Sequence, residues 1–393
     1  MENIFCEDKK YILNTYNRSD LRIEKGEGSY LYDFEGNSYL DMYSGISVNN
    51  FGHDKKLVEF MIKQASNYIH LSNYFVSEPV VKLAKLLVEN SFASKVFFTN
   101  SGTESNEAAI KLCRKYGKSF GKDKYELLSA HNSFHGRTNG ALAITGQEKY
   151  QREFTPILTG IDYFEYNNIE SLRSKVNENT CGLFLEIIQG EGGIVEVSEE
   201  FMIEVVKLSK KYNFLIVIDE VQTGIGRTGD LFAYQKYGFI PDLVTVAKSL
   251  GGGIPRGAML VREGLEDILK AGDHGTTFGG NPVSCACGTY ILDKVLNTRL
   301  CEDVKNKGDF LISKLNSLKS KYPYIIREVR GRGLMLGIDI GEYVSKIKEI
   351  AQQKGVLLNS TSNTVIRLLP SLYIKEEEIE EFLRVFEECL SQV

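Results

Sequence analysis

The chain has little of what would place it outside ordinary globular chemistry. It contains no tryptophan, five histidines and seven cysteines among 393 residues, with no internal repeat and no low-complexity linker. An odd number of cysteines scattered over so long a chain makes no disulfide framework and favours free thiols in a reducing compartment. Cys285 and Cys287 are separated by a single residue, short of the about two to four that a zinc hairpin uses, and no second pair follows at a useful distance. His131 and His135 are four apart but no Glu follows the first, so the paired-histidine metal pattern is missing as well. The longest uncharged run, His274 to Leu292, holds several glycines with Asn281 and Pro282 and is too poor in apolar residues to span a bilayer. Residues Met1 to Asp8 are acidic and lack the basic start and apolar core of a secretion signal. There is no basic tail either, and 47 Lys+Arg against 52 Asp+Glu leaves a net charge of −5, which argues against nucleic acid as a partner. These absences predict a cytoplasmic protein with no metal, no membrane and no nucleic acid.

What is present is the composition of a folded protein: 42% hydrophobic and 25% charged residues, in a chain long enough for about two to three domains. Short apolar runs alternate with longer amphipathic stretches, the pattern of an α/β fold with a mostly parallel sheet. Strands are expected at Val96 to Phe98, Glu126 to Leu128, Gly182 to Leu185, Leu215 to Ile218, Leu243 to Val246 and Ala258 to Val261. Helices such as Glu104 to Tyr116 and Glu200 to Tyr212 lie between them. The ends read differently. Tyr30 to Leu40 alternates around Glu35-Gly36-Asn37, a hairpin signal. From about Cys285 the expectation is helix, strand (Gly333 to Ile338), helix, strand (Val365 to Leu368), helix. The last helix places Ile379, Phe382, Leu383, Phe386 and Leu390 on one face, with Glu376-Glu377-Glu378 as its solvated side. A large domain over residues 51–284 and a smaller α+β domain made of 1–50 and 285–393 are therefore expected.

Two polar residues stand just beyond buried strands, where open α/β sheets bind ligands. Leu215-Ile216-Val217-Ile218 leads into Asp219, and Leu243-Val244-Thr245-Val246-Ala247 leads into Lys248 and the glycines 251–253. A buried ion pair is one reading of such a carboxylate and amine. The glycines favour another, in which backbone passes close to something flat and a lysine of depressed pKa attacks a carbonyl. Ahead of the helix from Glu104, Ser101 and Glu104 have capping-box spacing, so the first-turn N–H groups and the Thr103 hydroxyl can face an anion, or merely cap the helix. Lysine, aspartate and anion cradle together match the needs of pyridoxal 5′-phosphate: an amine to condense with its aldehyde, a carboxylate for its ring nitrogen, and a phosphate site. A rival is the literal G-x-G-x-x-G of Gly224 to Gly229. It comes too late after its strand, and no capped helix succeeds it, so a nicotinamide-dependent oxidoreductase is the remote alternative.

Six stretches carry a resemblance that covers essentially the whole chain in order. They are Asn100 to Ala108, Phe134 to Thr138, Glu186 to Gly193, Asp219 to Gly229, Ala247 to Gly253 and His274 to Pro282. With them the chain resembles the class III, or ω-amino acid, aminotransferases, which implies the type I fold of pyridoxal-phosphate-dependent transferases and a homodimer with shared active sites. The resemblance implies that Lys248 joins the cofactor and then shuttles the substrate proton. It places Asp219 on the ring nitrogen, Gln222 on the 3-hydroxyl, Glu220 and Val221 against the cofactor, Gly102 and Thr103 on the phosphate and Phe134 on the ring face. Thr277 would reach the phosphate of the neighbouring subunit, and Thr276 the substrate.

Two arginines complete the implied site for small amino and keto acids. Arg137 would grip the donor's α-carboxylate, and Arg367 the α-carboxylate of glutamate or 2-oxoglutarate, with Glu191 covering Arg367 in the other half-reaction. Their bland readings are a helix-end cation and an interdomain ion pair. His135 is expected to pack near the cofactor pocket. Ser44 to Asn49 and Leu71 to Phe75 are similar to the branch that uses N-acetylornithine in arginine biosynthesis. The implied reaction is transfer of its amino group to 2-oxoglutarate, with ornithine, succinylornithine, γ-aminobutyrate and lysine precursors as alternative donors. Arg256 departs from the family, which commonly has an apolar residue there. Turned inward it could recruit a second anion; turned outward it has no consequence.

Overall fold

Runs such as Leu215-Ile216-Val217-Ile218 are apolar without alternation, which suits a strand covered on both faces. In the computed structural model, which describes residues 4–393, they form the middle of a seven-stranded sheet. Its order is Ala93–Thr99, Gly257–Arg262, Leu243–Val246, Leu215–Asp219, Thr180–Glu186, Glu126–Ala130, Ile161–Phe164. Every residue of Thr180–Glu186, Leu215–Asp219 and Leu243–Val246 is buried. Gly257–Arg262 runs antiparallel to both neighbours, and the other pairings are parallel. The edge strand Ile161–Phe164 was not among the expected ones. Its Ile-Asp-Tyr-Phe is half exposed and too short to announce itself.

The helices begin where their caps are. Ser101 accepts from the Glu104 N–H at 3.3 Å, starting Gly102–Lys118. Glu104 reaches one residue further back than a capping box requires, accepting from the Asn100 N–H at 2.8 Å. Glu199–Tyr212 starts at Ser198 and stops at Asn213, whose φ of 53° ends the helix. Asn281 accepts from the N–H groups of Val283 and Ser284, so Pro282–Asn297 begins earlier than expected. A second helix, Leu300–Lys321, comes before any strand.

Segments from both ends pair with each other. One four-stranded sheet has the order Ile23–Glu27, Tyr30–Asp33, Ser38–Asp41, Val356–Leu357, the last pair being parallel. The hairpin turn between Tyr30–Asp33 and Ser38–Asp41 is organised by the Asp33 carboxylate, which accepts from the N–H groups of Glu35 and Asn37 and from Tyr39 Oη. A second sheet, Glu328–Arg332, Met335–Asp339, Val365–Leu368, Asn359–Thr361, is antiparallel throughout. Only its two middle strands were anticipated. Glu-Val-Arg-Gly-Arg and Asn-Ser-Thr are polar edge strands with no apolar run to betray them. Gly333, expected inside a strand, forms the turn instead at φ 58°. The helix Glu376–Leu390 buries its apolar face, with Phe382 and Phe386 stacked at 5.5 Å. Its acidic start is not wholly solvated, because Glu378 accepts from Ser29 Oγ at 2.8 Å. Residues 1–3, counted above with the smaller domain, lie outside the described residues.

Among the described residues no helix is long and apolar enough to cross a membrane, and no group of three or more His, Cys, Asp or Glu could hold a metal ion. All seven cysteines are free thiols.

Candidate active site

The C-terminal ends of the central strands open into a cavity of about 440 Å³. Three of those ends carry charge toward it. Glu186 and Asp219 close neighbouring strands in register with each other, and Lys248 lies just past the next strand along. Lys248 sits at φ 46°, a left-handed conformation that costs a non-glycine residue about 1 kcal/mol or more and has to be held by its surroundings. Its ammonium is pushed down to about 8, first by burial and then by the positive charge of Arg367. Of the glycines after it, Gly253 lines the cavity, while Gly251 and Gly252 are required by the chain's own packing. A Cβ on Gly252, at φ 59°, would lie 2.5 Å from Ile291 Cδ1 and 2.7 Å from Leu57 Cδ2; one on Gly251 would lie 2.9 Å from Arg256 Cβ.

Asp219 is buried, and both its oxygens are held. Oδ2 accepts from His135 Nδ1 at 2.7 Å and Asn106 Nδ2 at 2.8 Å, while Oδ1 accepts from the Val221 N–H at 3.0 Å. Asn106 is itself oriented, since Thr245 Oγ1 donates to its Oδ1 at 2.8 Å. Burial alone would lower the His135 pKa, but the hydrogen bond and charge of Asp219, with Glu186, carry it above the ordinary histidine value. Glu186 is raised to about 7 by burial. It accepts from the N–H groups of Phe134 at 3.1 Å and Gly190 at 3.3 Å, tying two cavity loops to one strand end. Neither Asn106 nor Glu186 was singled out from the sequence. The signal was there in Asn106 on the helix face that also carries Ala109, Ile110 and Cys113, and in a carboxylate ending an apolar strand.

Ser101, Gly102 and Thr103 line the cavity at the start of Gly102–Lys118, where free N–H groups face outward. Thr103 Oγ1 lies 2.9 Å from Thr138 Oγ1. Gly136 must be glycine, because a Cβ there would fall 2.2 Å from Thr103 Oγ1. Phe134, Val221, Gln222 and Val48 also line the cavity. Glu220 does not. It is buried beneath, accepting from the Tyr234 N–H at 2.8 Å and from Thr223 Oγ1. Thr276 Oγ1 accepts from the cavity residue Asn100 at 2.9 Å, and the Thr276 carbonyl from Asn73 Nδ2 at 2.9 Å. Thr277 is exposed, as are Tyr74 and Phe75.

The two arginines are in opposite states. Arg367, on Val365–Leu368, is 1% exposed. Its Nη1 donates to Glu191 Oε1 at 2.5 Å and to the Gly190 carbonyl at 3.1 Å, and its other nitrogens to Asn359 Oδ1. Arg137 is exposed and borders the cavity. Arg256 turns inward. It lies over Phe98, 4.9 Å from the ring centroid, and Nη2 donates to the Asn281 carbonyl at 2.7 Å and to Ser284 Oγ, while Nε and Nη1 have no partner. The segment Gly224 to Gly229 forms turns rather than opening a helix, and its Arg227 is fully buried among neutral acceptors.

The model of the family Aminotransferase class-III matches residues 12–390. The acetylornithine aminotransferase of Caldanaerobacter subterraneus subsp. tengcongensis is 47% identical over 98% of this chain and 98% of its own. The N-acetylornithine aminotransferase structure from Stenotrophomonas maltophilia K279a superposes with TM-score 0.85 at 32% identity, covering 99% of this chain and 98% of that one. An ornithine aminotransferase structure from Toxoplasma gondii, described with partial occupancy of PLP at its active site, superposes with TM-score 0.94 at 28% identity, over 99% and 94% of the two chains.

Proposed function

The chain belongs to the class-III aminotransferases, and on that footing we propose that it moves the δ-amino group of N-acetylornithine to 2-oxoglutarate, yielding N-acetylglutamate 5-semialdehyde and glutamate in arginine biosynthesis. The observation that carries this reading is the pair of arginines. A guanidinium without a carboxylate partner, Arg137, stands at one part of the cavity wall, and a second, Arg367, is covered by Glu191. A donor whose α-carboxylate docks on Arg137 presents its far amine to Lys248, while covered Arg367 cannot seize that carboxylate instead. When the acidic co-substrate enters, Glu191 gives way and Arg367 takes its α-carboxylate as a two-pronged fork. N-acetylornithine is favoured by the relatives' names and by the segment Ser44 to Asn49, whose Val48 borders the cavity.

Pyridoxal 5′-phosphate fits the donor set: an amine of depressed pKa, a carboxylate held by three donors, and a helix N-terminus with a hydroxyl beside it. When bound, the cofactor supplies a ring that withdraws electrons from the carbon losing its proton. Lys248 Nζ, which lines the cavity, would accept that proton from the substrate carbon and hold it for return. Asp219, oriented by His135 and Asn106, would present negative charge to the ring nitrogen, and Gln222 would meet the 3-hydroxyl. Gly102 and Thr103 would bind the phosphate, Phe134 and Val221 would face the ring, and Thr276 would border the substrate. Glu220 supports this wall from beneath. Thr277 serves the phosphate site of a second copy, so the working unit is a homodimer. Exposed apolar side chains such as Ile69, Tyr74, Phe75, Val76 and Phe278 support that reading. Free thiols suit a cytoplasmic home.

The test is a titration of the loaded protein with donor alone, following loss of the cofactor's visible absorbance. N-acetylornithine is expected to discharge the colour faster than ornithine, N-succinylornithine or γ-aminobutyrate. The inward Arg256 makes the succinyl donor the informative rival, and faster discharge by it would move the substrate while keeping the chemistry.

A further inference from the structure

Arg137 has a long, rotatable side chain and, among the described residues, no hydrogen bond and no ion pair. What it has is two aromatic rings. Its Cζ lies 3.9 Å from the centroid of Tyr150 and 5.5 Å from that of Phe134. The two rings meet edge to face, 5.9 Å apart at 83°. A guanidinium laid on a ring keeps its N–H groups in its own plane, pointing outward at the edges, where a carboxylate can accept two of them.

The backbone segments that carry the rings are anchored independently of the arginine. The Phe134 N–H is held by Glu186 at 3.1 Å. Tyr150 sits on the short helix Glu148–Gln151, and its N–H donates to the Gln147 carbonyl at 3.0 Å. The neighbouring Gln151 Nε2 donates to the Leu142 and Thr145 carbonyls and to Tyr163 Oη, between 2.7 and 3.0 Å. The segments bearing the two rings are thus held by hydrogen bonds that do not involve Arg137. Lys149 brings a second cation to the same ring, 4.8 Å from its centroid.

We propose that Tyr150 is a positioning residue: its ring holds the Arg137 guanidinium with the fork open to the cavity, and so sets where a donor's carboxylate is seated. The inference rests on the role given above to Arg137. Physically, the ring removes part of the ordering cost that a free arginine would meet on binding a carboxylate. Tyr150 itself touches no reacting atom.

The test uses the loaded enzyme and two donors that differ only at the group concerned. N-acetylornithine has the carboxylate; N-acetylputrescine is the same molecule without it. Tyr150→Leu is expected to lower kcat/KM for N-acetylornithine by roughly fivefold, through KM rather than kcat, while leaving N-acetylputrescine within about twofold. Tyr150→Phe keeps the ring and is expected to stay near the starting values with both. A readout without turnover is calorimetric binding of N-acetylnorvaline, the donor lacking its δ-amine, which should weaken by a similar factor in Tyr150→Leu alone. Equal losses with both donors would mean a merely structural role and overturn the proposal. So would unchanged N-acetylnorvaline binding in Tyr150→Leu when Arg137→Ala weakens it. If Arg137→Ala leaves that binding unchanged, the role of Arg137 itself fails and the inference falls with it.

Discussion

At Lys248 burial and the charge of Arg367 act together against the protonated amine, while Glu191, Asp219 and Glu186 oppose them, and the pKa comes to about 8. Capture of cofactor requires the neutral amine. In cofactor-free protein the rate of capture is therefore expected to rise with pH and level off above about 8, where an ordinary lysine would still be climbing toward about 10.5. Stopped-flow absorbance across that range decides it, and a rise continuing unbroken past pH ~10 would contradict the assignment. The same shift makes the cofactor-free fold gain stability as pH rises from about 8 to 10.5, because the unfolded chain then binds more protons than the folded one. Arg256 is a different case, a buried cation with two nitrogens lacking partners. Losing it removes two unsatisfied buried nitrogens, and the Asn281 carbonyl that it meets keeps the Cys285 N–H and Ser284 Oγ as donors. Arg256→Leu is expected to hold or raise stability by up to about 2 kcal/mol in urea titrations. A loss beyond about 1 kcal/mol would mean that its contacts with Ser284 and Phe98 outweigh the two unsatisfied nitrogens.

At the scale of elements, the site is made by the residues immediately beyond each strand. Gly252 is a tight joint in the loop past Leu243–Val246, at φ 59° with Ile291 and Leu57 closing on it. Gly252→Ala places a methyl group in a left-handed residue and against the helix Pro282–Asn297. The expected cost is about 1–3 kcal/mol by urea midpoint, with the displacement passed on to Lys248 four residues earlier and seen as weakened cofactor affinity. An unchanged midpoint would mean that Ile291 and Leu57 yield freely. The strands themselves were readable in the sequence wherever they were apolar, as at Leu243–Val246 and Val365–Leu368. They were unreadable where polar residues form sheet edges, as at Glu328–Arg332, because an edge strand needs pairing partners rather than burial.

For the whole molecule the decisive contact is Arg227. Its Nε donates to Ser47 Oγ at 3.1 Å, its Nη1 to the carbonyls of Leu334 at 3.0 Å and Pro370 at 2.7 Å, and its Nη2 to Asn50. Ser47 in turn donates to the Gln222 carbonyl at 3.2 Å. One side chain thus joins the N-terminal segment, the C-terminal strands and the loop that bears Gln222. No carboxylate compensates it, and burial lowers its pKa to about 9. Arg227→Leu would strand several buried acceptors at once and is expected to cost about 3–5 kcal/mol, whereas Ser47→Ala costs about 1. Near-equal denaturation midpoints for the two variants would show that the clamp is not what joins these segments.

The sequence by itself determined the alternation of buried strands and helices, the residues that end those strands, and the motif order that marks the family. These are local properties, set by side-chain hydrophobicity, glycine placement and caps. The tertiary structure alone decided that Arg256 turns inward while Glu220 sinks beneath the cavity. It also decided that Asn106 and His135 converge on Asp219, and that Arg137 comes to rest on Tyr150. Each of those depends on which distant segment arrives opposite a side chain, and no local pattern encodes that. Direction and partnership of a buried polar group are settled only when the layers close around it.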